Sequence, residues 1–102
     1  MIHVIAVITA KVGQRDAILK EFRANMPKVV AEQGCVEYVP VIDAEPAPAF
    51  QAKLGADAFM VVEKWESMEA LRAHAAAPHM AAYGAKVKDL IASRVVHILT
   101  PT

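Results

Sequence analysis

Ile2 to Ala10 load both alternating sets with apolar side chains. Ile2, Val4, Ala6 and Ile8 fall on one side of an extended backbone, and His3, Ile5, Val7 and Thr9 on the other. The pattern predicts a strand with two largely apolar faces, followed by a turn at Gly13. Over residues 14–33 the period changes. Ile18, Phe22, Met26, Val29, Val30 and Gln33 step by three and four, while Arg15, Glu21, Arg23 and Lys28 occupy the rest of the wheel, as in an amphipathic helix. Pro27 lies inside that stripe, where it removes a backbone donor and crowds the carbonyl of Arg23. A kink or break is therefore expected in the last turns, with Gly34 as the C-terminal cap.

The segment CVEYVPVID, residues 35–43, reads as a second strand, and Pro40, lacking an N–H, assigns it to a sheet edge or a bulge. Residues 44–57 have prolines and no period, so they form a loop long enough to be a lid or pocket wall. AFMVVEKW, residues 58–65, alternates Phe59 and Val61 against Met60 and Val62 and predicts a third strand. Ser67 is placed to cap a short helix, with Glu69 favourable in its first turn. Pro78 cannot continue that helix but suits the start of another, over residues 79–92, with Met80, Tyr83, Val87 and Leu90 on one face. RVVHILT supplies the last strand.

The order β-α-β-β-α-α-β, in one domain spanning 1–102, predicts an α+β, ferredoxin-like fold: a four-stranded antiparallel sheet with helices on one face. Helices can shield only one side of strands that are apolar on both. The other exceeds the contiguous apolar surface that monomers usually tolerate, so a homodimer is expected.

Composition agrees with that picture. The 102 residues are 56% apolar and 22% charged, which suits a greasy globular domain. Eleven basic residues balance eleven acidic ones without a basic run, so neither nucleic acid nor an anionic membrane is expected as a partner. No apolar stretch approaches the ~20 residues of a membrane span. Cys35 stands alone, which excludes an intrachain disulfide and fits a reducing cytoplasm, the expected location.

The stretch AHAAAPHM, residues 73–80, raises the chemical question. His74 and His79 are five apart with Pro78 between them, whereas helical zinc pairs sit four apart on a continuous turn, so no metal site is expected. His3 and His97 read as structural. Acid–base work is the better reading. Taking a proton from a phenol costs an imidazole roughly 5 kcal/mol and a carboxylate about 8. The smaller figure fits inside the ~17 kcal/mol barrier of a reaction turning over once per second.

Taken together, GCVEYVPVID, VVEKWESMEALRAHAAAPHMAAY and RVVHIL, in this order after a β-α unit, resemble the antibiotic-biosynthesis monooxygenase family, and within it the small quinol monooxygenases. The most specific run is E-x-W-x-S-x-x-A-L-x-x-H-x-x-x-P-H-M, from Glu63 to Met80. The resemblance implies a dimeric α+β barrel with a pocket in each subunit between sheet and helices. In some members it also implies oxidation of quinols or phenols by O₂ without metal, flavin or other cofactor. Such chemistry needs a water-poor cavity, one base and donors facing the developing anion. His74 or His79 is the candidate base. Phe50, Met60, Trp65, Met80 and Tyr83 are candidate walls, Tyr38 and Trp65 candidate donors, and Glu63 joins the substrate-facing set from the strand face of Trp65. Asn25 reads as a surface residue.

Three rivals accompany that reading. Haem-degrading relatives pair a helix histidine with an asparagine in the first strand, and Ile2–Ala10 contains none. A sugar-phosphate isomerase would need basic pocket residues, for which Arg72 and Arg94 are available. A non-enzymatic dimer that binds small aromatics would leave the histidines structural.

Overall fold

The computed structural model describes all residues from Met1 to Thr102. Its elements are β1 (Ile2–Ala10), α1 (Arg15–Val30), β2 (Cys35–Val41), β3 (Ala58–Trp65), α2 (Met68–Ala75), α3 (Pro78–Val87), a 3-10 turn (Lys88–Leu90) and β4 (Ile91–Leu99). The strands form one antiparallel sheet in the order β2-β3-β1-β4, with every helix on one side, the ferredoxin-like α+β arrangement. No helix is long and apolar enough to cross a membrane.

Alternation decides which residues enter the core. In β1, Val4, Ala6, Ile8 and Ala10 are buried while their neighbours are half-buried, and in β3 the alternating buried set is Phe59, Val61, Glu63 and Trp65, with Ala58 also buried at the strand's start. Ile18, Leu19, Phe22 and Val29 of α1, Leu71 of α2 and Val87 of α3 complete the cluster from the helix side. Burying a side chain of that size contributes about 1.5–3 kcal/mol.

The opposite sheet face has no cover. Ile5, Val7, Met60 and Val62 are half-buried there only by their neighbours, and Val39, Val95 and Leu99 are exposed. The helices also stop short of β4. On the side that faces them elsewhere, Val96 is 39% and Ile98 52% exposed, so this edge strand is bare on both faces.

Several local expectations are revised. α1 passes through Pro27 without a break and ends at Val30, with Ala31 rather than Gly34 as its cap. A proline three residues from a helix end removes one hydrogen bond, while Phe22 and Val29 remain anchored in the core. Gly34 instead turns the chain into β2 at φ +85°, its carbonyl accepting the Glu66 N–H at 2.8 Å. A Cβ there would stand 2.6 Å from that of Ala70, so glycine is needed twice over. β2 is an edge strand whose register shifts between Cys35 and Glu37, in line with Pro40. Ser67 caps α2, its Oγ accepting the Ala70 N–H at 3.1 Å, and Pro78 opens α3. α3 ends earlier than expected, because Ile91 already pairs with Ala10.

Candidate active site

Tyr38, Glu63 and Trp65 share the helix-facing side of the sheet near one end. Tyr38 lies beside Glu63 across β2 and β3, and Trp65 sits next to Ile2 where β1 begins. Ser67 starts α2 directly after Trp65 and its capping fixes the direction of that helix. His74 therefore comes down on this surface, its ring centroid 4.6 Å from Trp65 and 5.4 Å from Tyr38. Phe22 of α1 stacks on Tyr38 at 5.2 Å and meets Tyr83 of α3 edge-on at 6.0 Å. The result is an aromatic enclosure around one imidazole.

A carboxylate just past the end of α1 governs that imidazole. Glu32 Oε2 lies 2.7 Å from His74 Nδ1. A carboxylate only accepts, so Nδ1 carries a proton toward Glu32. The same oxygen is 3.7 Å from Nε2 of His79, in the first turn of α3, and neither His79 nitrogen has a hydrogen-bond partner although both are buried. One carboxylate thus faces two imidazoles. Glu63 accepts a bond from Trp65 Nε1 at 3.0 Å. Burial pushes its carboxyl above the usual range, against the pull of the Trp65 N–H and of His74. Burial also raises the phenols of Tyr38, helped by Glu63, and of Tyr83, which reaches about 12. Both therefore stay protonated near neutrality and can donate.

Of the residues expected at the site, Tyr38, Glu63, Trp65 and His74 come together, and His79, Met80 and Tyr83 adjoin them from α3. Two do not. Met60 has the opposite parity in β3 from Glu63 and Trp65, so it belongs to the uncovered face. Phe50 is 91% exposed on a loop at the other end of the sheet, where β3 starts beside Thr9. Asp43 holds that loop by accepting the N–H groups of Leu54 and Gly55 at 2.8 and 2.9 Å, which pull its carboxyl below the usual range. His3 and His97 also belong to the uncovered face.

Two residues were missed. Glu32 lies just beyond a helix C-terminus, where the dipole disfavours an anion, and that mismatch is the available signal. Asn25 is 8% exposed, not a surface residue, and its Nδ2 lies 3.4 Å from Met80 Sδ. A weak helix former three residues from Phe22 and four from Val29 was the clue. A cleft of about 80 Å³ between α1 and α3 runs past Asn25, His79 and Tyr83.

Comparison with known proteins decides the family. Residues 1–86 match the family model described as antibiotic biosynthesis monooxygenase. The chain belongs to this family. The proteins similar to it include one of Escherichia coli K12 named "Probable quinol monooxygenase YgiN", 38% identical over 103 residues that cover 99% of this chain and 98% of the other. Among solved structures, PA3566 from Pseudomonas aeruginosa superposes with a TM-score of 0.82 at 25% identity, covering 99% of this chain and 93% of its own. Rv0793 from Mycobacterium tuberculosis gives 0.81 at 25% identity, with 99% and 94% covered. Family membership makes the chain a monooxygenase at the family level, and the surroundings of His74 are where its own fold buries titratable groups.

Proposed function

We propose that the protein oxidises a quinol or a related phenolic aromatic with O₂, without metal or flavin, using His74 and His79 as its acid–base groups. The observation that carries this reading is the half-buried Glu32 carboxylate facing both imidazoles beside an aromatic enclosure. The name of the Escherichia coli relative supports the substrate class.

Triplet O₂ reacts slowly with closed-shell molecules, but a phenolate gives up an electron readily. An imidazole takes the hydroxyl proton, and the anion passes one electron to O₂. The resulting radical pair then joins into a peroxide at a ring carbon. The imidazolium returns its proton to the outer peroxide oxygen, and as the ring C–H proton leaves, its electron pair forms the new C=O and the O–O bond breaks; one oxygen stays on the ring, and the other takes up that second proton and departs as water. For a quinol the products are a hydroxylated quinone and water, which accounts for both atoms of O₂. Tyr38, Tyr83 and the Trp65 N–H stand ready as donors to developing negative charge.

We place a second copy of the chain on the uncovered sheet face, forming a dimeric barrel, and assign the protein to the cytoplasm. The bare β4 and the apolar residues beside it support the dimer.

The functional test is anaerobic addition of a reduced naphthoquinone followed by air. Quinone should form faster with the protein than without it, and His74→Ala or His79→Ala should slow it by about 10²-fold or more, the usual worth of a positioned acid–base group. Equal rates for wild type and both variants would refute the histidine assignment.

A further inference from the structure

α1 and α3 build the cleft between them from matching positions. Glu21, Ala24, Asn25 and Lys28 form one wall and His79, Ala82, Tyr83 and Lys86 the other, each set spaced i, i+3, i+4, i+7 and so on one helix face. Two contacts show that the helices run antiparallel: Lys86 Nζ meets Glu21 Oε2 at 3.7 Å, and Asn25 Nδ2 meets Met80 Sδ at 3.4 Å. The ion pair closes one end. Lys28 and His79 stand at the other, and Ala24 and Ala82 keep the middle narrow but unfilled, a shape suited to a flat ring.

Two polar side chains in the middle and far end of this slot lack strong hydrogen-bond partners. Asn25 is more than nine-tenths buried, yet its amide is offered only a thioether, a weak acceptor. Neither nitrogen of His79 has a hydrogen-bond partner, Glu32 standing 3.7 Å from Nε2. Buried polar groups without partners cost free energy that a ligand can recover by bonding to them. Lys86 is paired with Glu21, whereas Lys28 at the other end of the slot is in no ion pair, so the ligand that fits is an oxygen anion on an aromatic ring.

We propose that this slot receives the reacting hydroxyl and first ring of the substrate, with Asn25 Nδ2 and His79 Nδ1 on the oxygen and Lys28 drawing the anion in. The inference rests on the quinol reading above and makes His79, not His74, the group that touches substrate. The hydroxyl O–H bond breaks as an N–H bond forms on His79 Nδ1. Glu32, beside Nε2, steadies the imidazolium, and His74 holds Glu32 in place through their 2.7 Å bond.

Binding can be read without turnover using 4-nitrophenol, a phenol that O₂ does not oxidise and whose anion absorbs visible light. Wild type should raise the visible absorbance of a partly ionised solution as it captures the anion. Ala82→Leu fills the slot from an exposed helical position and should abolish the signal while leaving thermal unfolding unchanged. Asn25→Leu and Lys28→Gln should each weaken binding, Asn25→Leu by about tenfold, the worth of a hydrogen bond to a charged group. Absence of binding to wild type, or equal binding by Ala82→Leu and Asn25→Leu, overturns the proposal. Probe binding that Ala82→Leu removes, without any quinol oxidation by wild type, supports the slot and refutes the quinol reading. Quinol oxidation undiminished in Ala82→Leu refutes the slot and leaves the quinol reading standing.

Discussion

The two faces of the sheet come from the same strands and end in opposite conditions. On the helix side Val4, Ala6, Ile8, Phe59, Val61 and Trp65 are buried, whereas Ile5, Val7, Met60 and Val62, alternating with them, are only half-covered. Alternation assigns side chains to faces, but the number of helices decides which face is closed. The contrast extends to chemistry. The three buried polar or charged residues, Asn25, Glu63 and His74, all lie on the closed side. Holding such groups away from water is costly, so their concentration there marks the side on which a reaction can be run.

The strongest way to test this asymmetry is to remove the anchor of the closed face. Trp65 is fully buried, contacts His74 and donates to Glu63. Trp65→Ala should cost about 3–5 kcal/mol in denaturant unfolding, the range for large aromatic truncations. Val62→Ala, three residues earlier on the other face, should cost under about 1.5 kcal/mol by comparison, because its site is only half-buried. Similar losses at both positions would show that the uncovered face is as tightly packed as the core.

How far these faces were legible depended on period. In β1 and β3 the two-residue alternation identified the core residues, and the same parity puts Met60 opposite Trp65, so naming both as walls of one pocket set that rule aside. Ser67 and Pro78 marked helix starts through local hydrogen bonding, which the rest of the fold does not override. Pro27 misled because its local cost is set against the burial of Phe22 and Val29, a tertiary term. Glu32 and Asn25 escaped because an apolar-period reading passes over polar residues even when they occupy the inward stripe. Phe50 lies in a segment without period, where an apolar side chain carries no direction; the grip of Asp43 on Leu54 and Gly55 became visible only in three dimensions.

Charging the open face should act on assembly and leave the fold of each chain in place. Val62→Lys would place an unpaired ammonium where a second copy is proposed to pack, and leaving a charge without a partner at an interface weakens association by several kcal/mol. Sedimentation should then show a dimer for wild type and a monomer for Val62→Lys, with far-ultraviolet circular dichroism retained. Identical sedimentation of the two proteins would remove this face from the interface.

The smallest expected effect comes from ionising the closed face. The chain has two tyrosines, and burial raises both phenols, Tyr38 with further help from Glu63, and Tyr83 to about 12. Between the ordinary phenol value near ~10 and that raised value, the native state holds protons that the unfolded chain has released. The free energy of unfolding should therefore fall as pH rises through this window and be unaffected by these groups below it. Because Tyr83 keeps some contact with solvent, the fall from that residue should be shallow. Alkaline titration followed by phenolate absorbance should show Tyr83 ionising near 12 while the fold persists, and Tyr38 only as the protein unfolds. If both phenols ionise near ~10 in the folded protein, water reaches the aromatic enclosure, and the closed face is not the water-poor side on which the contrast depends.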